Sequence, residues 1–250
     1  MSSTKQTLTA YLLSLSKPQT DHPFLKSAKS GTLPLHTLGL WLAQDRIYAA
    51  HAYPRFIGAL IARIPFLSSH SLRHSLATPN KEEEGNQRVL RVLVACLDNI
   101  VREVGFFGEV DAKFALGLGV GVSEGGYEER KETRDYTAEM ARVSLTGSFE
   151  EGIVFLWAME QVYLEVWTSI HTSLTSLPPS SSPSPSPSTP ALLAFADNWT
   201  SPAFHSFVQD LRDLVDAFGI EPGTERWARA VGVWERVGEL EEAFWPDVDH

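Results

Sequence analysis

The sequence predicts an all-α chain, a multi-helix bundle built as a single domain over residues 1–250. Three observations carry that reading. Apolar residues recur at three- and four-residue steps through most of the chain, the spacing of one helix face. No segment sustains the period-two alternation of a half-buried strand. With 250 residues, 43% of them hydrophobic and 21% charged, the chain can bury one large core without disulfides or metal. The single cysteine, Cys96, excludes a disulfide framework and every Cys-based zinc pattern. A formal net charge of -10, with no run of Lys or Arg, argues against binding nucleic acid, whose phosphates call for a basic patch. No membrane partner is expected. The apolar stretch from Ile57 to Leu67 is broken by Arg63 and Pro65 and is too short for a bilayer. The first residues lack the basic region, apolar run and small-residue cleavage site of a signal peptide, so a cytoplasmic location is expected.

Taken in order, helices are expected near residues 4–16, 34–63, 86–108, 133–147, 149–175, 201–218 and 224–245. Gly31-Thr32-Leu33-Pro34 reads as a turn delivering the second helix, which Pro54 should kink by removing a backbone donor and crowding the preceding turn. Lys81-Glu82-Glu83-Glu84-Gly85 reads as a solvated connection, and Gly117-Leu118-Gly119-Val120-Gly121 as a flexible one. The glycine run lacks both the spacing and the preceding strand of a dinucleotide loop. Ser148 with Glu151 forms a capping box ahead of the apolar run Ile153 to Trp157. Pro178 to Pro190 is a Pro/Ser segment with nothing to bury. It is expected to be a surface loop, because the two helices expected beyond it would make a poor core alone.

Two helices carry acids where apolar residues are expected. In the last helix, Trp227, Val231, Trp234, Val237, Gly238, Phe244 and Trp245 define an apolar stripe, and Glu241 stands on it. In the second, Leu38, Trp41, Leu42, Tyr48, Ala49 and Ala52 define another, with Asp45 in its middle and Tyr48 one turn on. An inward carboxylate costs several kcal/mol unless paired or hydrogen-bonded. Neither stripe carries a Lys or Arg: Arg46 points about 100° away from Asp45, and Arg236 lies off the Glu241 stripe. The helix from Ile153 to Ile170 is apolar nearly all round, except for Glu160, Gln161, Tyr163 and Glu165. Tyr136 and Trp199 add amphipathic rings. Two inward acids among aromatics suit a small, flat, nitrogen-rich ligand, its ring nitrogens held by carboxylates and its faces covered by rings.

These residues resemble the TenA family, thiaminase-II-like aminopyrimidine hydrolases with a haem-oxygenase-like helical fold. The resemblance runs through His22-Pro23-Phe24, Gly31-Thr32-Leu33-Pro34, Gln44-Asp45-Arg46-Ile47-Tyr48, Tyr136-Thr137 with Gly147-Ser148-Phe149, and Glu160 to Glu165. It continues through Phe195 to Phe204 and Glu241-Glu242-Ala243-Phe244-Trp245. It implies hydrolysis of an aminomethyl-aminopyrimidine to the hydroxymethylpyrimidine with release of ammonia, for thiamin salvage. On this resemblance Asp45 holds the ring nitrogen and amino group, Tyr48 belongs to the same pocket and Tyr136 lines it. Glu241 is the general acid, and Tyr163 supports the nucleophile. Met159, Trp199 and Phe244 complete the expected substrate-binding set. No cofactor or metal is implied, the partner is a small-molecule aminopyrimidine, and self-association as a dimer or tetramer is expected.

The departures from the family pattern are as informative. Met159 stands where the family's main branch has its nucleophilic cysteine, and Met cannot form the covalent adduct. Trp199 replaces a tyrosine, keeping the ring and losing the hydroxyl. Cys96 lies on an apolar helix and reads as an inert buried thiol. The chain therefore resembles the branch without that cysteine, with water as nucleophile and either Glu241 or Glu160 as proton donor. Two readings compete with hydrolysis. One is a non-catalytic pyrimidine-binding or interaction protein. The other is a haem or di-iron oxygenase: no histidine stands three residues after a Glu, as di-iron sites require, while His22, His51 and His171 stay open as haem ligands.

Overall fold

A computed structural model describes residues 6–15, 21–67, 81–120, 124–177 and 186–248. Among them there is no strand, and the expected all-α architecture is observed as a single domain. The elements are α1 (Leu8–Leu12), α2 (Pro23–Lys29), α3 (Leu35–Ile47), a π turn (Tyr48–Ala52), α4 (Tyr53–Ala62), α5 (Lys81–Phe114), α6 (Lys131–Thr146), α7 (Phe149–Thr175), α8 (Thr189–Trp199), α9 (Pro202–Ala217) and α10 (Glu225–Phe244). No helix among the described residues is long and apolar enough to cross a membrane.

The central element is α7, apolar nearly all round and buried from Gly152 through Met159, with α2, α4, α6, α8, α9 and α10 packed against it. Its start is the expected capping box: Ser148 Oγ accepts from the Glu151 N–H, and Glu151 accepts from the Ser148 N–H. Gly152 lets α4 approach, since a Cβ there would come within 2.4 Å of a Leu60 methyl. Arg63, just past α4, donates to the carbonyls of Ser144 and Gly147, satisfying acceptors at the end of α6. These ties fix α4, α6 and α7 against one another.

The kink expected from Pro54 takes a defined form. The chain opens into a π turn directly before the proline, and the Tyr53 N–H bonds the carbonyl of Tyr48, five residues back. The wider turn adds one residue to the helix and absorbs the steric demand of the proline ring at N2 of α4.

Several expectations need correction. Residues 81–85 are the first turn of α5 rather than a solvated connection. Glu83 and Asn86 are buried and bind the preceding segment, Glu83 accepting from the Leu67 N–H and Asn86 donating to the Pro65 carbonyl. The first helix is short, Leu8–Leu12, and residues 16–20 lie outside the described residues. Two helices were not expected, α2 and α8, so three helices rather than two follow the Pro/Ser segment. Of that segment, residues 178–185 lie outside the described residues. Its end is not a free loop: Ser188 is fully buried, both Ser186 and Ser188 donate to the Leu33 carbonyl, and Thr189 and Pro190 open α8. Hydroxyls bury readily once a backbone carbonyl takes their hydrogen, which composition alone does not reveal. The glycine-rich stretch is described to Val120, where Asp111 accepts from the N–H groups of Gly117 and Leu118; Gly121 lies outside.

Candidate active site

Four carboxylates converge inside the bundle, each from a different helix and each bonded by one aromatic donor. Asp45 on α3 accepts from the Tyr163 hydroxyl at 2.7 Å. Glu160, one turn before Tyr163 on α7, accepts from Tyr53 at 2.6 Å. Glu103 on α5 accepts from the indole N–H of Trp199 at 2.7 Å. Glu241 on α10 accepts from Tyr136 at 2.5 Å, while its other oxygen is buried with no partner among the described residues.

A hollow of about 20 Å³ lies among them, lined by Asp45, Tyr48, Ala49, Tyr53, Ile100, Glu103, Met159, Glu160, Tyr163 and Trp199. That volume holds one or two water molecules. A pyrimidine ring fits only if a wall moves. The movable walls are Met159, a flexible thioether, and the half-buried Tyr48, whose hydroxyl donates to the Met159 sulfur at 3.2 Å.

Six of the sequence-predicted residues therefore border one hollow: Asp45, Tyr48, Met159, Glu160, Tyr163 and Trp199. The other three, Tyr136, Glu241 and Phe244, form a layer behind Tyr48. The Tyr48 ring lies 5.3 Å from Tyr136 and 6.4 Å from Phe244, and those two lie 5.7 Å apart. Asp45 and Glu241 are thus close in the core, and only Asp45 lies on the wall. Two polar wall residues, Glu103 and Tyr53, were missed from sequence. Glu103 obeys the rule that found Asp45 and Glu241, since it sits on the buried stripe Val89, Leu93, Cys96, Ile100, Phe107, Val110 of α5. Tyr53 follows Tyr48 by five residues and reaches the same hollow because the intervening turn is π.

Burial dominates the electrostatics. It raises Asp45 well above the carboxylate range, with Glu103 the next cause. It pushes Glu160 and Glu241 each up to about 8, against the hydrogen bonds from Tyr53 and Tyr136 that favour ionisation. Glu103 rises only to about 7, because the Trp199 N–H and then Arg102 favour its charge. Among the described residues no cation acts on Asp45, Glu160 or Glu241. Burial, then the nearby Glu160, push the Cys96 thiol up, as expected of an inert cysteine. Of the open histidines, His22 caps α2 by accepting from the Phe24 N–H, His171 contacts Asp197 and His51 is exposed. Among the described residues no group of three or more His, Cys, Asp and Glu could hold a metal ion.

Fold and hollow together define a haem-oxygenase-like helical bundle with a carboxylate-walled pocket. The TENA/THI-4/PQQC family profile matches residues 10–248, and the chain belongs to that family. The solved structures it resembles include a TenA homologue from Pyrococcus furiosus (20% identity, TM-score 0.67, covering 90% of this chain and 89% of that one). Another is a TenA homologue from P. horikoshii OT3 (18%, 0.69, 96% of each chain). A third is a TenA family transcription regulator from Silicibacter sp. TM1040 (19%, 0.67, 98% and 97%). Among curated proteins the chain is similar to a probable transcription factor from Fusarium pseudograminearum, 26% identical over 90% of this chain. It spans 46% of that relative's length.

Proposed function

We propose that the hollow hydrolyses the exocyclic C–N bond of an aminomethyl-aminopyrimidine, releasing ammonia and the hydroxymethylpyrimidine. Family membership supports a thiamin-related, pyrimidine-hydrolase-like role. The observation that carries the finer reading is Asp45, buried, held by Tyr163 and facing the same hollow as Glu160, with no cation on the wall among the described residues. Asp45 carries a proton in the ligand-free site, because burial disfavours its charged form. It passes that proton to a ring nitrogen and accepts the amino N–H, a paired contact that leaves the ring cationic. The cationic ring draws electrons from the exocyclic methylene carbon. Glu160, protonated at neutral pH with its value near 8, gives its proton to the leaving amine as water attacks that carbon. The proton released by water returns to Glu160, and the balance is amine plus water giving alcohol plus ammonia. Glu241 is a positioning residue in this scheme, acting through Tyr136 and Tyr48.

The test is ammonia release from the aminomethylpyrimidine. Glu160→Gln should lower kcat about 10²-fold or more, the usual worth of a general acid, and Glu241→Gln should lower it less. A larger loss in Glu241→Gln would exchange the two roles. The second reading, a binder without chemistry, is favoured by Met159, which borders the hollow and stands where the family's main branch has its nucleophilic cysteine. A melting-temperature rise with the pyrimidine but no ammonia would establish it.

A further inference from the structure

Glu103 has no part in the scheme above, yet it is the most elaborately supported acid in the hollow. Trp199 donates to one of its oxygens, and Asn99 lies 3.4 Å from the other. Arg102 then grips both supports, donating to the side-chain oxygen of Asn99 at 2.6 Å and to that of Asn198, the neighbour of Trp199, at 3.2 Å. Trp199 is itself locked, its ring 4.7 Å from Trp167 and 5.4 Å from Phe195. A neutral acceptor would satisfy the Trp199 N–H without burying a charge, and burying a charge costs several kcal/mol unless it is paired. Among the described residues no Lys, Arg or His lines the hollow; Arg102, which favours the charge of Glu103, stands behind the wall and directs its hydrogen bonds to Asn99 and Asn198.

Resting on the pyrimidine reading of this site, we infer that Glu103 is a specificity-determining residue. Oriented by Trp199 and the Asn99–Arg102–Asn198 clasp, its carboxylate selects pyrimidines whose substituent is a free amine. It rejects the same ring carrying an acylated amine or an alcohol. A free amine donates N–H groups to the carboxylate and gains positive charge beside it as Glu160 protonates it. A formylamide supplies no charge and adds bulk to a water-sized hollow. The value near 7, below the value near 8 of Glu160, makes Glu103 the wall glutamate most ready to carry charge at neutral pH.

The test uses the full chain and rapid-mixing binding, read by tryptophan fluorescence before turnover, with three probes. These are the aminomethylpyrimidine, its N-formyl derivative and the hydroxymethylpyrimidine. Glu103→Gln keeps an acceptor for Trp199 and removes the charge. It should weaken the amine about tenfold or more and the alcohol by less than threefold, so the selectivity ratio falls by a similar factor. Equal losses for all three probes would overturn the inference and leave Glu103 a structural residue. Trp199→Phe provides a second route should Glu103→Gln fold poorly. Removing the N–H that favours the carboxylate should move the midpoint of amine selectivity to higher pH, and an unmoved midpoint would overturn the inference. If none of the probes binds the unaltered protein, the pyrimidine reading itself fails and Glu103 falls with it. Binding of all three with indifferent selectivity would sink Glu103 alone.

Discussion

On one side of Trp199 lie Phe24, Trp41, Trp167, Phe195 and Trp245, packed ring against ring, with Trp41 as hub at 5.3 Å from Trp167, 5.5 Å from Phe195 and 5.9 Å from Trp245. On its other side lies the hollow. In the aromatic cluster the indole N–H groups of Trp41, Trp167 and Trp245 are buried without a partner among the described residues. In and behind the hollow, each of the four carboxylates has an aromatic donor. The cluster tolerates orphaned donors because each indole buries a large area against several neighbours. The hollow assigns each acid its own partner and leaves the remaining lone pairs to whatever enters. One region is built for stability and the other for a ligand, and the two meet at Trp199 and at Tyr163, whose ring stacks on Trp245 at 6.2 Å.

That contrast can be broken most directly at Asp45. Asp45→Asn should reduce pyrimidine turnover by about 10²-fold or more while leaving the melting temperature unchanged or raised, since Asn keeps an acceptor for the Tyr163 hydroxyl and brings no ionisable group into the core. An Asp45→Asn protein that unfolds readily would show the acid to be structural. The mirror experiment is Trp41→Ala, expected to cost about 3–5 kcal/mol, or some 6–20 °C in melting temperature for a chain this size.

The pH dependence of stability sharpens the comparison further. Glu103 near 7 and Glu160 and Glu241 near 8 in the folded chain compare with 4.5 for an ordinary glutamate. Between those values the folded state keeps protons that the unfolded state has released, so stability falls as pH rises from about 5 to 8.5. Calorimetric scans across that range should show a declining melting temperature and a shallower decline in Glu241→Gln. A flat profile in the unaltered protein would mean that these acids are solvated. The smallest effect separates two tryptophans. Trp199→Phe, which loses a bond to a carboxylate, should cost about 1.5–3 kcal/mol more than Trp167→Phe, which loses none. Equal costs would erase the boundary drawn here.

The helical fold and half of the hollow were legible because burial writes itself into periodicity. Asp45 and Glu241 interrupt stripes that otherwise read as core, and the same count along α5 marks Glu103. Tyr53 was not legible. Pro54 announces a disturbance of the helix without saying whether it becomes a bend or a widened turn, and only the widened turn brings Tyr53 round to Glu160. The short helices α2 and α8 were missed for a different reason. Seven and eleven residues give little room for a period to repeat, and α8 emerges from a Pro/Ser run whose hydroxyls dock on a backbone carbonyl. The layering of Glu241 behind Tyr48 depends on which way two rings lean, and spacing carries no such information.

The extra residue in the turn at 48–52 acts as a fixed phase offset for everything downstream on α4. Removing one residue there would rotate the helix by about 100°, taking the phenol of Tyr53 off Glu160 and, in the same motion, Leu60 off Gly152. A single angular setting therefore governs both the proton donor's partner and the seam between α4 and the central helix. Neither can be retuned without disturbing the other.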